Sequence, residues 1–151
     1  MPQPPPRNQS GEVLPHDHAE ILPEHGVIRR VSDRQVVNRP DGRRTLSSLA
    51  FKPSGSGAHP GMSVDLEDWI RADGKNPIDF VTTPRWVGSV RFTAGDLRAE
   101  GCRVGWDPIT REASLPANDY HGEVWDIDKA RQRRLQETAD WFVPIQGVDI
   151  R

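Results

Sequence analysis

Near the end of this 151-residue chain, Asn118-Asp119-Tyr120-His121-Gly122-Glu123-Val124-Trp125 gathers an amide, an imidazole and a carboxylate within six positions. His121 and Glu123 are two residues apart, so in an extended strand both side chains project from the same face. A carboxylate beside an imidazole is the pairing of a general base and the group that orients it. His121, Glu123 and Asn118 are therefore the candidate catalytic residues. No serine or cysteine stands at a recognisable nucleophile elbow. The competing reading is a hydrogen-bonded structural histidine next to Trp125.

Two other runs carry chemistry. Leu14-Pro15-His16-Asp17-His18-Ala19-Glu20-Ile21-Leu22-Pro23-Glu24-His25-Gly26 holds three of the five histidines and three acids. His16, His18 and His25 are candidate metal ligands, with Glu20 able to complete a set. Against this, the run is interrupted by proline, contains no cysteine and lacks the ligand spacings of known zinc motifs. A ligand set on a loose leader would also lose entropy on binding. The reading adopted is a solvated acidic leader with no metal. The second run is basic. Residues 27–60 carry seven Arg or Lys against two Asp, with Arg29, Arg30, Arg34, Arg39, Arg43 and Arg44 along one expected hairpin. Arginine forks suit phosphates and carboxylates, so Arg43 and Arg44 are candidate ligand-binding residues and nucleic acid is a candidate partner. Aromatic stacking platforms are missing between them. Cys102, the one cysteine, reads as a buried thiol.

These residues need elements to hold them. Residues 1–26 read as an extended, flexible leader with four early prolines. Residues 27–147 read as one domain, and 148–151 as a C-terminal tail. VIRRV and QVVN are predicted strands, Arg39-Pro40-Asp41-Gly42 a turn, and RRTLSSLAF a strand with Leu46, Ser48 and Ala50 on one face. MSVDL is a predicted strand and LEDWIRADG a short helix ended by Gly74. WVGSVRF is a strand, followed by a helix capped by Thr93 and stopped by Gly101. CRVGW and YHGEVWDI are strands. DPITREASLPAND is a loop between them. KARQRRLQETADWFV is a final helix, capped by Asp126 or Asp128, with Ile127, Ala130, Leu135, Ala139 and Phe142 on its buried stripe. The sum is an α+β domain with a small mixed or antiparallel sheet and two to three helices.

Composition narrows the class. Apolar residues make up 34% of the chain, with 14 Pro and 13 Gly, so the core is modest and loops are many. The net charge of −2 provides no global field for nucleic acid or an anionic surface. A single cysteine permits no internal disulfide, and neither a signal peptide nor a membrane span is visible. The expectation is a cytoplasmic protein without membrane association or cofactor.

Two resemblances follow from these residues. Arg30 on an early strand with Ser47 and Ser48 on a later one resembles the ADP-ribosyltransferase fold. There an arginine holds the NAD phosphates, a serine-bearing strand shapes the pocket and a late glutamate aids transfer. The resemblance implies NAD-dependent transfer, with Arg30, Ser47 and Ser48 binding ligand and Glu123 as the late acid. The serine pair comes early for that family, and no aromatic motif for the nicotinamide is present. Separately, RRTLSSLAF, MSVDLEDWI, SVRFTAGDLRAEGCRVGWDP and NDYHGEVW resemble an uncharacterised family of small bacterial hypothetical proteins over about residues 27–143. That resemblance implies a compact single domain and no particular reaction. The leading functional reading is an accessory or interaction protein whose partner is another protein, because no strong catalytic motif is present. The alternatives are a small hydrolase or transferase using His121 and Glu123, or Arg30 in NAD-dependent transfer, and nucleic-acid binding through residues 29–44.

Overall fold

Val, Leu and Phe at alternate positions build the strands β1 (Gly26–Val31), β4 (Met62–Leu66), β5 (Gly88–Thr93), β6 (Arg103–Trp106) and β7 (His121–Trp125) of a computed structural model that describes residues 2–54, 57–110 and 116–151. With β8 (Asp140–Val143) they form one antiparallel sheet in the order β6-β7-β4-β1-β5-β8. A separate hairpin pairs β2 (Val36–Asn38) with β3 (Arg44–Leu46). Four helices complete an α+β fold: α1 (Glu67–Ala72), α2 (Pro77–Val81), α3 (Ala94–Ala99) and α4 (Lys129–Thr138).

Alternation gives the sheet two different faces. Val27, Val64, Leu66, Val90, Phe92, Val104 and Val124 share one face and pack with Phe51, Leu97 and Leu135 in the core. Each such side chain contributes about 1.5–3 kcal/mol by burial. The opposite face carries Arg30, Ser63, Asp65, Ser89, His121 and Glu123. Of these, Asp65, Ser89, His121 and Glu123 are buried.

Several expected elements form as predicted. The turn before β3 closes with Arg39 N–H donating to Arg43 O at 2.7 Å and Gly42 at φ +87°. Thr93 caps α3 by accepting from Asp96 N–H, Asp128 caps α4 by accepting from Arg131 N–H, and Gly101 ends α3 at φ +90°. Others differ. The strand expected through Phe51 stops at Leu46, and Ser48–Phe51 form a 3₁₀ turn capped by Ser47 Oγ, which accepts from Leu49 N–H. Serine competes with the ladder for backbone partners, and the turn buries adjacent Ala50 and Phe51 together. Helix α2, unforeseen, starts from an Asn76 cap with Pro77 in its first turn. The last helix ends at Thr138, and Asp140–Val143 is a strand on β5. Trp141, Phe142 and Val143 are strong strand formers at a free sheet edge.

The leader is docked, contrary to the expectation of a loose tail. It folds on itself through Leu14 N–H to Pro6 O and Asn8 N–H to Glu12 O, both 2.9 Å. It then crosses the edge of β6. His18 N–H donates to Val104 O, while Asp17 Oδ1 accepts from Val104 N–H and His16 Nε2 from Trp106 N–H. Val13, His18 and Ile21 are buried. The expected C-terminal tail is also built in: Asp149 bridges Thr45 in parallel, and Val148 and Ile150 are buried. No helix among the described residues is long and apolar enough to cross a membrane.

Candidate functional site

Strands β1, β4 and β7 lie side by side, and their register assembles the polar face. Ile28 pairs with Asp65, Asp65 with His121, and Ser63 with Glu123. Residues opposite one another in antiparallel strands share a face, so Arg30, Ser63, Asp65, His121 and Glu123 form a contiguous group. Strand β6 adds Gly105 opposite Glu123. A Cβ at Gly105 would lie 2.6 Å from Trp125 Cζ3 and 2.7 Å from His16 Cε1. The glycine is what lets Trp125 and the leader close over this corner.

His121 sits between two carboxylates. Its Nδ1 meets the Asp107 carbonyl at 2.6 Å, with Asp107 Oδ2 at 3.8 Å, and its Nε2 lies 3.8 Å from Glu123 Oε1. A carbonyl only accepts, so Nδ1 carries a proton, and in the neutral ring Nε2 presents its lone pair toward Glu123. Ser63 Oγ donates to Glu123 Oε1 at 3.3 Å. Glu123 Oε2 is buried with no hydrogen-bond partner among the described residues. This oxygen packs against Gly61, where a Cβ would come within 2.5 Å of it, and the Gly61 backbone opposes the rise of the Glu123 carboxyl.

Burial dominates the electrostatics here, because it disfavours the charged form of an acid. The Glu123 carboxyl is pushed up to about 7 by burial and then by the Asp107 charge, against the opposing pull of Ser63 and Arg29. Asp107 is also raised by burial, with His121 opposing. Arg29 is lowered to about 10 by burial. Its guanidinium donates to Ala50 O, Ser63 O and Ser54 Oγ, so it balances Glu123 through the field and not by contact.

The predicted site residues divide. His121 and Glu123 come together as expected. Asn118 acts one step away: its Nδ2 donates to Asp65 Oδ1 at 2.9 Å and its Oδ1 accepts from Tyr120 N–H. Asp65 in turn holds Arg30 through Nε at 2.8 Å and Nη2 at 3.2 Å. Ser47 and Ser48 lie at the 3₁₀ turn after β3, apart from this face; the serines on it are Ser63, opposite Glu123, and Ser89, opposite Arg30. Arg43 and Arg44 are exposed where the turn enters β3, whose Thr45 and Leu46 are buried. Arg43 lines a groove of about 620 Å³ with Arg39, Arg133, Arg151, Asp41 and Glu137, and donates to Asp149 Oδ2 at 3.1 Å. This groove and a second of about 440 Å³ beside it are remote from His121. Their arginines are interleaved with acids, whereas a phosphate track needs unopposed positive charge.

The leader histidines are committed elsewhere. His16 Nδ1 donates to Leu14 O while Nε2 accepts from Trp106 N–H. His18 Nε2 bonds Gln3 O while Nδ1 accepts from Glu20 N–H. A neutral imidazole has one lone pair, and in both it is used, so His16 and His18 are not free ligands. His25 Nδ1 accepts from Leu22 N–H. Cys102 is buried, and burial raises its thiol to about 11, which makes it inert.

Three residues of the site escaped the sequence reading: Ser63, Asp65 and Asp107. The alternation of Met62-Ser63-Val64-Asp65-Leu66 carried a signal for the first two, since only a polar face accepts Ser and Asp at positions two apart. Asp107, followed by Pro108, read as loop and carried none. The residues 111–115 of that expected loop lie outside the described residues. No family model, curated protein or solved structure matches this chain.

Proposed function

We propose that this protein is a small hydrolase or group-transfer enzyme whose reacting centre is Asp107, His121 and Glu123, with Arg30 beside it to hold an anionic group of the substrate. The observation that carries this reading is the Glu123 carboxyl, buried opposite His121 Nε2 with one oxygen unpartnered. An unsatisfied buried carboxyl opposes folding, which is the kind of local cost that functional sites bear. Activating water or an acceptor hydroxyl releases a proton as the oxygen attacks, and His121 Nε2 or the Glu123 carboxylate beside it can accept that proton. Asp65 fixes Arg30 through two of its donors, leaving the rest of the guanidinium for a phosphate or carboxylate.

The interaction reading has less to stand on, because Val13 and Ile21 of the leader are buried within the chain, although Leu22 stays exposed. The NAD-dependent reading keeps Arg30 and Glu123 and exchanges Ser47 and Ser48 for Ser63, so NAD belongs among the substrates to try. The test is turnover of a phosphomonoester, a phosphodiester, a carboxylic ester and NAD by the full chain, by His121→Ala and by Glu123→Gln, with unfolding midpoints recorded alongside. We expect at least one substrate to turn over and both variants to lose about 10²–10⁴-fold while remaining folded. Turnover unchanged in both variants, or none on any substrate, would remove the reading.

A further inference from the structure

We propose that Asp107, His121 and Glu123 together bind one divalent cation of the zinc or manganese kind, leaving a coordination position for water. The proposal deepens the reading of this face as a reacting centre. It rests on that reading for the cation's role, though not for its binding.

Three side chains from β7 and the end of β6 each bring one donor atom, and these atoms lie within 4.8 Å of one another. With metal–ligand distances near 2.1 Å, two ligands of one ion stand about 3.4 Å apart in a tetrahedron and about 4.2 Å apart when opposed. The Nε2 to Oε1 separation of 3.8 Å falls inside that window. Asp107 is the half-buried member, and its carboxylate can swing the remaining few tenths of an ångström. The ion also answers a question that the protein's own donors leave open. The Glu123 side chain is only 8% exposed, yet its Oε2 has no partner among the described residues, and a buried polar atom of that kind calls for an ion or water. The terminal torsion of a glutamate is soft, so either oxygen can turn onto the ion.

The surroundings fit a metal ligand set. His121 Nδ1–H donates to the Asp107 carbonyl, which fixes the tautomer that offers Nε2, as ligating histidines require. The nearby acid Asp65 is already satisfied by Arg30 and Asn118, so the set stops at three. One imidazole with two carboxylates suits zinc or manganese better than calcium, which prefers oxygen alone. Three protein ligands with an open position are the pattern of catalytic sites and not of closed structural ones.

The experiment titrates the full chain, stripped with chelator, with Co²⁺ as a spectroscopic stand-in and with Mn²⁺, followed by absorbance and calorimetry. The expected result is one equivalent per chain, with affinity lowered at least about tenfold in Glu123→Gln and in Asp107→Asn. Asp107→Asn, at the rim, keeps the test valid if the buried variant fails to fold. No binding, or binding that neither variant weakens, overturns the proposal. Binding without turnover of any substrate would leave the cation and remove the enzymatic reading. Turnover by a chain that binds no cation would do the reverse.

Discussion

At the scale of single residues, the polar face shows how environment and not residue type sets behaviour. Glu123 and Asp65 are both buried acids on neighbouring strands, yet only Asp65 has a full set of donors. Tyr120, the chain's only tyrosine, offers a direct measurement of such an environment. Its hydroxyl donates to Asp73, and that bond, followed by burial, pushes the phenol up to about 12. The folded state thus holds the proton more tightly than the unfolded chain. The stability this brings is complete below the ordinary value near 10 and is lost as pH rises through about 12. Phenolate absorbance against pH should show a single raised midpoint, and Asp73→Asn should bring it down toward 10. Equal midpoints in the two proteins would show that the Asp73 bond is not the cause.

At the scale of elements, the leader and β6 form a mutual arrangement. An exposed strand edge presents unpaired backbone groups, and here Asp17, His16 and His18 meet those of Val104 and Trp106. Asp17 also pairs with Arg98 at 2.8 Å, but a half-exposed ion pair of this kind contributes little. Asp17→Ala should lower the unfolding free energy by about 1–2 kcal/mol through the orphaned Val104 N–H, read by urea denaturation. Asp17→Asn keeps an acceptor and should recover most of it. If the two variants behave alike, the charge and not the edge contact is what matters.

At the scale of the whole molecule, both chain ends belong to the fold. Val13 and Ile21 from the leader are buried, and their loss alone removes at least about 3 kcal/mol of burial. Deleting residues 1–25 should therefore lower the thermal midpoint markedly and increase association through the bared β6 edge, measured by scanning calorimetry and light scattering. An unchanged midpoint would return the leader to the status of a tail. The same docking places Trp125 and His16, whose rings are 5.3 Å apart, over one corner of the polar face, so the leader helps exclude water from Glu123.

What the sequence determined by itself is local. Short strand-forming runs announced β1, β4 and β5, and alternation announced β6 and β7. Thr93, Asp128, Gly74 and Gly101 marked helix ends, because caps and left-handed turns depend on a few adjacent residues. The spacing of His121 and Glu123 put them on one face for the same reason. The tertiary structure alone decided which strands became neighbours. That choice brought Asp65 and Ser63 beside His121 and Glu123, drew Asp107 in from a loop, and left Ser47 and Ser48 outside. It also turned His16 and His18 from candidate ligands into caps of a strand edge. Contacts between residues 40 to 100 positions apart depend on how hydrophobic faces stack and how strand edges are closed, and no short window of sequence contains that information.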